Sequence, residues 1–140
     1  MFDRILLAVD GSENALHAAR VAVELARAVE ATELRIVIAY EPVPAYLGEP
    51  NLSNAIHARL LETQDALRAT KDVIGVIPTE IHEELIEGSV AESIIDVAKT
   101  RHSDVIVMGS RGLGRFAGAV LGSNSQRVVS EAPCPVLIVR

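Results

Sequence analysis

Five glycines fall within fourteen residues of the chain, at Gly109, Gly112, Gly114, Gly118 and Gly122. Glycine lets the backbone approach a ligand closely, and successive exposed amides can form a nest that binds an anion. The run Ser123-Asn124-Ser125 follows directly, where a helix is expected to begin. Free amides and the positive end of a helix dipole favour a negative group at such a point. The segment predicts a phosphate site. A flexible loop followed by an ordinary helix cap is the alternative interpretation.

The distribution of charge favours a small anionic ligand. The net charge of -6 argues against a general nucleic-acid surface, because duplex binding needs a basic face. No carboxylate occurs between Asp104 and Glu131, yet that stretch holds Arg111, Arg115 and Arg127. The first two arginines could pair with phosphate as charge-assisted donors, or they could be solvated loop residues.

Asp10 is the carboxylate best placed to join such a site, because it follows the first apolar run of the chain. Aspartate at such a turn often caps the next helix. We expect it to contact the ligand. It could also hold Mg²⁺ through water, since magnesium usually keeps several waters and takes few carboxylates.

The remaining reactive residue types predict no further chemistry. Cys134 is the only cysteine and lies between two prolines beside an apolar strand, so we expect buried packing and a reducing compartment. The four histidines are scattered, which makes a zinc site improbable. No apolar run approaches the ~20 residues of a membrane span, and no signal peptide is visible. We therefore expect a soluble cytoplasmic protein without a membrane partner.

The elements that would position these residues alternate between strand and helix. Apolar residues make up 49% of the chain and aromatic residues 3%, so the core must be aliphatic, as suits a covered parallel sheet. The patterns predict strands at Ile5–Val9, 34–40, 76–85, 104–108 and Val136–Val139, and helices at 13–30, 52–72, 90–101 and 120–131. Three prolines and a glycine in residues 41–50 predict no regular structure there. That segment could be a rigid connector or a lid.

This alternation indicates an α/β fold with right-handed crossovers, as one domain over residues 1–140. Open parallel sheets bind ligands at the carboxyl ends of strands, where the strand order reverses. If the order is 3-2-1-4-5, the reversal lies between strands one and four. The turns after those strands, Asp10-Gly11-Ser12 and Gly109-Ser110-Arg111-Gly112, would then face one crevice.

Common nucleotide motifs of other families do not fit. The glycine segment lacks the Gly-Lys-Ser/Thr of a Walker loop, and the first strand is not followed by G-x-G-x-x-G. The Ser-Gly-Gly-x-Asp-Ser loop of an ATP pyrophosphatase is absent. Asp10 stands alone, whereas a phospho-receiver domain would need an acidic pair.

Gly109, Gly112, Gly122 and Ser123 do fit the spacing G-x2-G-x9-G-[S/T] without gaps. In this the chain resembles the ATP-binding branch of the universal stress protein family. Similarity extends over essentially the whole chain. It includes ILLAVDGSENA from Ile5, the run from Glu87 to Ile94, and the segment from Ala132 to Arg140.

The resemblance implies a three-layer, Rossmann-like fold, with helices on both faces of an open parallel five-stranded sheet in the order 3-2-1-4-5. It also implies ATP, or ADP or AMP, possibly with Mg²⁺. Tyr40 falls where the family uses a backbone group of a small apolar residue against adenine, and Ala39 is the second choice. The cofactor-binding residues expected from this match are Ala8, Val9, Asp10, Ala39, Tyr40, Met108, Gly109, Arg111, Gly112, Gly122, Ser123, Asn124 and Ser125.

The functional expectation is a nucleotide-binding module for stress response or signalling. The resemblance permits slow ATP hydrolysis, and it implies a homodimer through the strand Val136–Val139. An ATP-using enzyme and a protein-interaction domain with an empty glycine loop are the alternatives.

Overall fold

A computed structural model describes residues 1–10, 13–110 and 121–140. Five strands are formed by β1 (Arg4–Ala8), β2 (Glu33–Tyr40), β3 (Glu80–Glu87), β4 (Val105–Gly109) and β5 (Val136–Val139). The helices are α1 (Glu13–Val29), α2 (Asn51–Ile74), α3 (Val90–Thr100) and α4 (Ser123–Glu131). A short 3₁₀ turn spans Ala45–Leu47.

The strands form one sheet in the order β3-β2-β1-β4-β5, and every neighbouring pair is parallel. In the central register, Ile5 pairs with Leu34 on one side and with Val105 on the other. The predicted fold class and strand order are confirmed. The order reverses between β1 and β4, so the carboxyl ends of these two strands open onto one edge of the sheet.

Two aliphatic clusters cover the two faces of the sheet. Alternate residues of β1 point to opposite faces, so Leu7 belongs to one cluster and Leu6 to the other. α1 and α2 cover the first face, where the buried alanines of α1 let the helix approach the strands closely. α3 and α4 cover the second face.

Several predicted boundaries were wrong. β3 begins at Glu80 rather than at 76. Pro78 has no amide hydrogen to donate to a neighbouring strand. The Glu80 amide donates to the carbonyl of Thr32, the residue before β2, at 3.0 Å. α4 begins at Ser123 rather than at 120. The segment 41–50, predicted to lack regular structure, contains the 3₁₀ turn. Ser89 occupies the N-cap of α3, but its side chain makes no capping hydrogen bond.

Candidate functional site

A cleft of about 130 Å³ opens where the strand order reverses. It is lined by Ala8, Val9, Asp10, Ala15, Val37, Ala39, Val90, Ile94, Met108, Gly109, Asn124 and Ser125. Wider grooves of about 480 and 540 Å³ lie elsewhere on the surface. Unlike these two grooves, the 130 Å³ cleft lies against the carboxyl ends of β1 and β4, and the first turn of α4 contributes to its wall. The cleft is therefore the candidate site because of where it lies in the sheet and which residues line it, although its volume is smaller than those of the two grooves.

The cleft brings together eight of the residues predicted from the sequence: Ala8, Val9, Asp10, Ala39, Met108, Gly109, Asn124 and Ser125. Tyr40, Gly122 and Ser123 are not among its lining residues. Gly122 and Ser123 nevertheless belong to the start of α4, beside Asn124. Arg111 and Gly112 lie outside the described residues, as do Gly11, Ser12 and the rest of 111–120.

The inner wall of the cleft is apolar. Val37 of β2 and the pair Val90 and Ile94 of α3 stand beside Met108 at the end of β4. Our sequence interpretation missed Val37, Val90 and Ile94. The four-residue spacing of the α3 pair, directly after Gly88-Ser89, was the available signal, because residues four apart share a helix face. Such a wall suits a flat, weakly polar group such as a nucleobase.

Ala39 and Tyr40, the last two residues of β2, direct their backbone amide and carbonyl groups to opposite sides of the strand. The Gly88 amide donates to the Tyr40 carbonyl at 2.8 Å, on the β3 side. The Val9 amide donates to the Val37 carbonyl at 3.1 Å, on the β1 side. Successive residues of a strand direct their backbone groups to opposite neighbours, so Ala39 points its amide and carbonyl towards β1. Because β1 ends at Ala8, these groups are directed at the cleft.

The base of the glycine segment is closed by backbone hydrogen bonds. The Gly122 amide donates to the Ser110 carbonyl at 2.9 Å, and the Ser110 amide donates to the Val139 carbonyl at 2.8 Å. The Ser125 hydroxyl donates to the Gly109 carbonyl at 3.1 Å, and Ser125 is buried. The two ends of the segment are thus held together beside β4 and β5. The amide of Gly122 and the hydroxyl of Ser125 already serve this closure.

The start of α4 still offers donors to an anion. The first intrahelical bond runs from the Gln126 amide to the Gly122 carbonyl, 2.9 Å. The amides of Ser123, Asn124 and Ser125 therefore precede the hydrogen-bond ladder of the helix. They concentrate partial positive charge at the mouth of the cleft, within a few residues of the apolar wall.

Gly109 has a packing role that the sequence did not reveal. A Cβ placed on it would lie 3.0 Å from the Asn14 Cβ and 3.1 Å from the Asn14 carbonyl carbon. α1 therefore approaches the end of β4 so closely that a side chain at this position would require Asn14 to shift by a few tenths of an ångström. The predicted role of Gly109 in ligand binding is not needed to explain why glycine occupies this position.

Arg127 lies in the stretch without carboxylates, but in the structure it pairs with two of them from outside that stretch. Its guanidinium donates to Glu92 at 2.9 Å and to Glu131 at 2.7 Å. These hydrogen bonds, first to Glu92 and then to Glu131, raise the pKa of Arg127. Glu92 reaches this arginine from α3, far away in the sequence, so the charge of the local segment does not describe the surroundings of Arg127.

Metal and membrane features were searched over residues 1–10, 13–110 and 121–140. No group of three or more histidine, cysteine or carboxylate side chains in this part of the chain could hold a metal ion. A role of Asp10 in holding Mg²⁺ remains a prediction. No helix in these ranges is both long and apolar enough to span a bilayer.

Comparison with known proteins decides the family. The sequence pattern of the universal stress protein family matches residues 1–140. The chain belongs to the universal stress protein family. It is 49% identical over 140 residues to a Thermus aquaticus universal stress protein, with all of both chains aligned.

Solved structures of the family share the fold. UspA of Lactobacillus plantarum superposes with a TM-score of 0.85 at 28% identity, covering 99% of this chain and 98% of its own. A universal stress protein solved in complex with cAMP superposes with a TM-score of 0.70 at 25% identity, covering 99% and 97%. The resemblance inferred from the spaced glycines is thus confirmed at the level of the family and the fold.

Proposed function

We propose that this universal stress protein binds an adenine nucleotide, with ATP as the expected ligand, in the cleft between β1 and β4. The observation that carries the proposal is the arrangement of the cleft, which joins an apolar slot to the first turn of α4. The slot accommodates a base, and the amides of Ser123 and Asn124 meet phosphate oxygens. The family member solved with cAMP supports the same ligand class.

Ala39 supplies the contact that selects adenine in this proposal. Its amide donates to N1 of the base and its carbonyl accepts from the N6 amino group, since both groups point towards the cleft. Guanine presents a donor at N1 and an acceptor in place of N6, so it meets two mismatched groups. Two unmatched polar groups at a desolvated contact cost a few kcal/mol. We therefore propose Ala39 rather than Tyr40 as the adenine contact.

Binding, rather than turnover, is the proposed activity, with nucleotide occupancy tuning contacts in stress response or signalling. Asp10 is the only carboxylate among the described residues that line the cleft, and phosphoryl transfer needs a positioned water and a metal clamp as well. Incubation with labelled ATP and Mg²⁺ checks this. Turnover that is sustained in the wild type and lost in Asp10→Ala would reassign the protein as a slow ATPase.

Asn124→Asp tests the phosphate half of the site. A carboxylate in the first turn of α4 interacts favourably with the positive end of the helix dipole. The melting temperature of the nucleotide-free protein should therefore stay constant or rise slightly. The same charge repels polyphosphate, so ATP affinity should fall at least tenfold, and AMP affinity less. Calorimetric titration and thermal shift with ATP, AMP and GTP provide the readout. An unchanged ATP affinity in Asn124→Asp would end the proposal for this edge of the sheet.

Ala39→Leu tests the base half, because the longer side chain enters the apolar slot. Binding of ATP and AMP should be lost together. Ala45→Leu serves as the matched control, since Ala45 is exposed on the 3₁₀ turn and does not line the cleft. Equal affinities in the two variants would place the base elsewhere.

We further propose a homodimer through β5. This strand pairs with β4 on one side, and it is the last strand of the sheet order. Leu137 is 39% exposed, and an apolar strand edge favours pairing with a second chain. Leu137→Lys should lower the mass measured by light scattering at micromolar concentration, whereas a wild-type monomer would contradict the dimer.

A further inference from the structure

The sheet has two edge strands, and β3 forms the edge opposite to β5. β3 is eight residues long and pairs with β2 along its whole length, from Glu80 to Glu87. At about 3.3 Å per residue, the strand presents an edge of roughly 26 Å. In the part of the chain that the structure describes, no strand pairs with its other side. An unpaired edge of this length offers backbone groups to an added strand.

Alternate residues of β3 turn their backbone groups outward. The Glu80 amide donates to the Thr32 carbonyl at 3.0 Å, on the β2 side. The Gly88 amide donates to the Tyr40 carbonyl on the same side, at 2.8 Å. Because successive residues of a strand direct these groups to opposite neighbours, the even-numbered residues of β3 bond to β2. The outward amides and carbonyls therefore belong to the odd-numbered residues, which are Ile81, Glu83, Leu85 and Glu87. No backbone group of the described residues hydrogen-bonds to them.

A groove lies along this edge beside the end of α2. It has a volume of about 480 Å³ and is lined by Lys71, Ile74, Gly75, Ile81, His82 and Glu83. Ile74 is buried, and Ile81 is half-buried against the same aliphatic cluster. Leu85 lies further along the same face of β3, because alternate residues share a face, and it is 41% exposed. An added strand therefore finds apolar contacts beside β3 as well as backbone donors and acceptors.

The charges at this edge are mainly negative. β3 itself contains four carboxylates and neither lysine nor arginine; the carboxylates are those of Glu80, Glu83, Glu84 and Glu87. Ion pairs connect the strand to one further carboxylate and three cations, which are Glu33, Arg35, Lys71 and Arg101. Five carboxylates against three cations leave a net charge of -2, with His82 taken as neutral. Extending the count to residues 65–74 of α2 adds two aspartates and one arginine, so the edge becomes more negative. A basic partner is therefore the complementary one.

The order of the glutamates opposes pairing of β3 with a second copy of itself. A two-fold axis normal to the sheet makes the two edges antiparallel and keeps each face continuous. The two registers of longest overlap place Glu83 opposite Glu83, or Glu84 opposite Glu84. The next register in one direction places Glu80 opposite Glu84, and the next in the other direction places Glu83 opposite Glu87. Like charges directly opposite each other are destabilising, so each of these registers is disfavoured.

We propose that the outer edge of β3 binds an extended basic segment of another protein, which adds to the sheet as a sixth strand. Antiparallel addition is the expected orientation, since antiparallel pairs are slightly more stable per residue. Directly opposite residues then share a face, so Glu83, Leu85 and Glu87 each meet one residue of the partner. The complementary segment has a basic, an apolar and again a basic side chain at alternate positions. Main-chain hydrogen bonds supply affinity, and these side chains supply specificity.

A labelled peptide with this pattern, Thr-Lys-Thr-Val-Thr-Lys-Thr with blocked ends, is the probe. Its binding to the full chain is measured by fluorescence anisotropy, and its twin carries glutamate in place of both lysines. We expect the basic peptide to bind, and the acidic twin to bind about tenfold more weakly or worse. The proposal is overturned if the basic peptide does not bind at about 1 mM protein, or if it binds no better than its twin.

Glu83→Gln combined with Glu87→Gln shows whether the binding is local to β3. Glu24→Gln combined with Glu62→Gln is the matched control, because both glutamates are exposed on helices and the two double variants have the same net charge. The β3 variant should bind the basic peptide about tenfold more weakly than the wild type. The control should stay within about twofold at physiological salt, where distant charges are screened. Equal losses in the two variants would reveal general attraction to an acidic protein and contradict the β3 site.

Leu85→Pro tests the backbone contact, because the Leu85 amide points away from β2 and proline is compatible with such an edge position. Leu85→Ala keeps the amide and controls for the lost side chain. We expect Leu85→Pro to lose the basic peptide and Leu85→Ala to keep most of the affinity, with unchanged circular dichroism in both. In the wild-type protein, N-methylation of the peptide's valine should abolish binding, whereas N-methylation of the threonine after it should not, since only the valine amide faces β3. Equal binding of the two N-methylated peptides refutes the added strand, whatever the fold of the proline variant.

Discussion

The hydroxyl of Ser125 donates a 3.1 Å hydrogen bond to the main-chain carbonyl of Gly109 and so ties the first turn of α4 to the end of β4. Ser125 is only 3% exposed. The bond stands next to the one between the Gly122 amide and the Ser110 carbonyl, 2.9 Å. Together they fix the start of α4 relative to the cleft, where an anion would meet its free amides.

Ser125→Ala should therefore lower stability, because the Gly109 carbonyl loses a partner in a buried place. We expect a loss of about 1–2 kcal/mol in the free energy of unfolding, measured by urea denaturation. Nucleotide affinity should fall with it as the helix start loosens. Ser130→Ala is the control in the same helix, since its hydroxyl bonds to the Gln126 carbonyl at an exposed position. A Ser125→Ala protein as stable as this control would show that the bond does not hold α4.

Gly109→Ala tests whether glycine is required for packing or for ligand contact at the first position of the spaced glycine motif. The added Cβ would lie 3.0 Å from the Asn14 Cβ and 3.2 Å from the Asn14 carbonyl oxygen. Backbone atoms cannot move aside as a flexible side chain does, so we expect a loss of about 1–3 kcal/mol. Thermal unfolding without nucleotide is the decisive measurement. An unchanged melting temperature with lost ATP binding would instead assign Gly109 a direct ligand role.

The apolar runs of the sequence predicted a parallel sheet, and the strand order that places the cleft between β1 and β4 came from the resemblance to the family. Ile106 and Val107 are completely buried in β4, as an uninterrupted aliphatic run in a parallel sheet requires. Asp10 and Gly109, each placed directly after such a run, do line one cleft. The ends of the buried strands β1 and β4 were predictable because an uninterrupted apolar run depends on local sequence, whereas the boundaries of the more polar β3 were not.

The partners of polar groups were not predictable, because they come from distant parts of the chain. Ser125 has the residue type of a phosphate contact, but its hydroxyl is turned towards Gly109. Arg127 is paired with Glu92, 35 residues away. That contact forms because α3 packs against α4 in the folded protein. A residue type limits which bonds are possible, and tertiary structure selects one.

Arg127→Gln should leave ATP affinity unchanged, because its guanidinium is bound to Glu92 and Glu131. The ion pairs are exposed, and exposed pairs contribute little to stability and are screened by salt. Titration calorimetry at low and moderate ionic strength provides the comparison with wild type. A marked loss of ATP affinity in the glutamine variant would instead show that Arg127 contributes to nucleotide binding.

Cys134 should react slowly with alkylating reagents. Cys134 is half-buried rather than buried as predicted, because it lies in the loop before β5. Its partial burial raises the pKa of the thiol, and the negative charge of Asp104 adds to the increase. The thiolate is the reactive form, so the native protein contains less of it near pH 8 than the unfolded chain does. Because the folded pKa is the higher one, the thiol favours the folded state most at low pH and loses this contribution as pH rises through the folded pKa. Iodoacetamide labelling with and without urea should show the native rate to be lower; equal rates would contradict the burial.

Arg35 is a buried cation in the middle of β2, and its removal should be costly. The residue is 8% exposed. Its guanidinium pairs with Glu84 of β3 at 3.1 Å and with Glu33 of β2. Glu84 also accepts from Arg101, the residue directly after α3, at 3.4 Å. Replacing the arginine leaves carboxylates that are themselves largely covered, with side-chain exposures of 16% for Glu33 and 25% for Glu84.

Arg35→Met should destabilise the protein by about 2–4 kcal/mol, because breaking one side of a buried pair leaves Glu84 with only its 3.4 Å contact to Arg101 and Glu33 without its arginine. Adding Glu33→Gln and Glu84→Gln should recover most of the loss, since the penalty arises from the stranded carboxylates rather than from missing attraction. Arg68→Met is the control, as Arg68 meets Asp65 at 3.8 Å with both side chains about three-quarters exposed, and its effect should be close to zero. Urea unfolding of the wild type, Arg35→Met, the triple variant and Arg68→Met measures their free energies of unfolding. If the triple variant is no more stable than Arg35→Met, the arginine acts through packing of its aliphatic stem over the sheet and not through its charge.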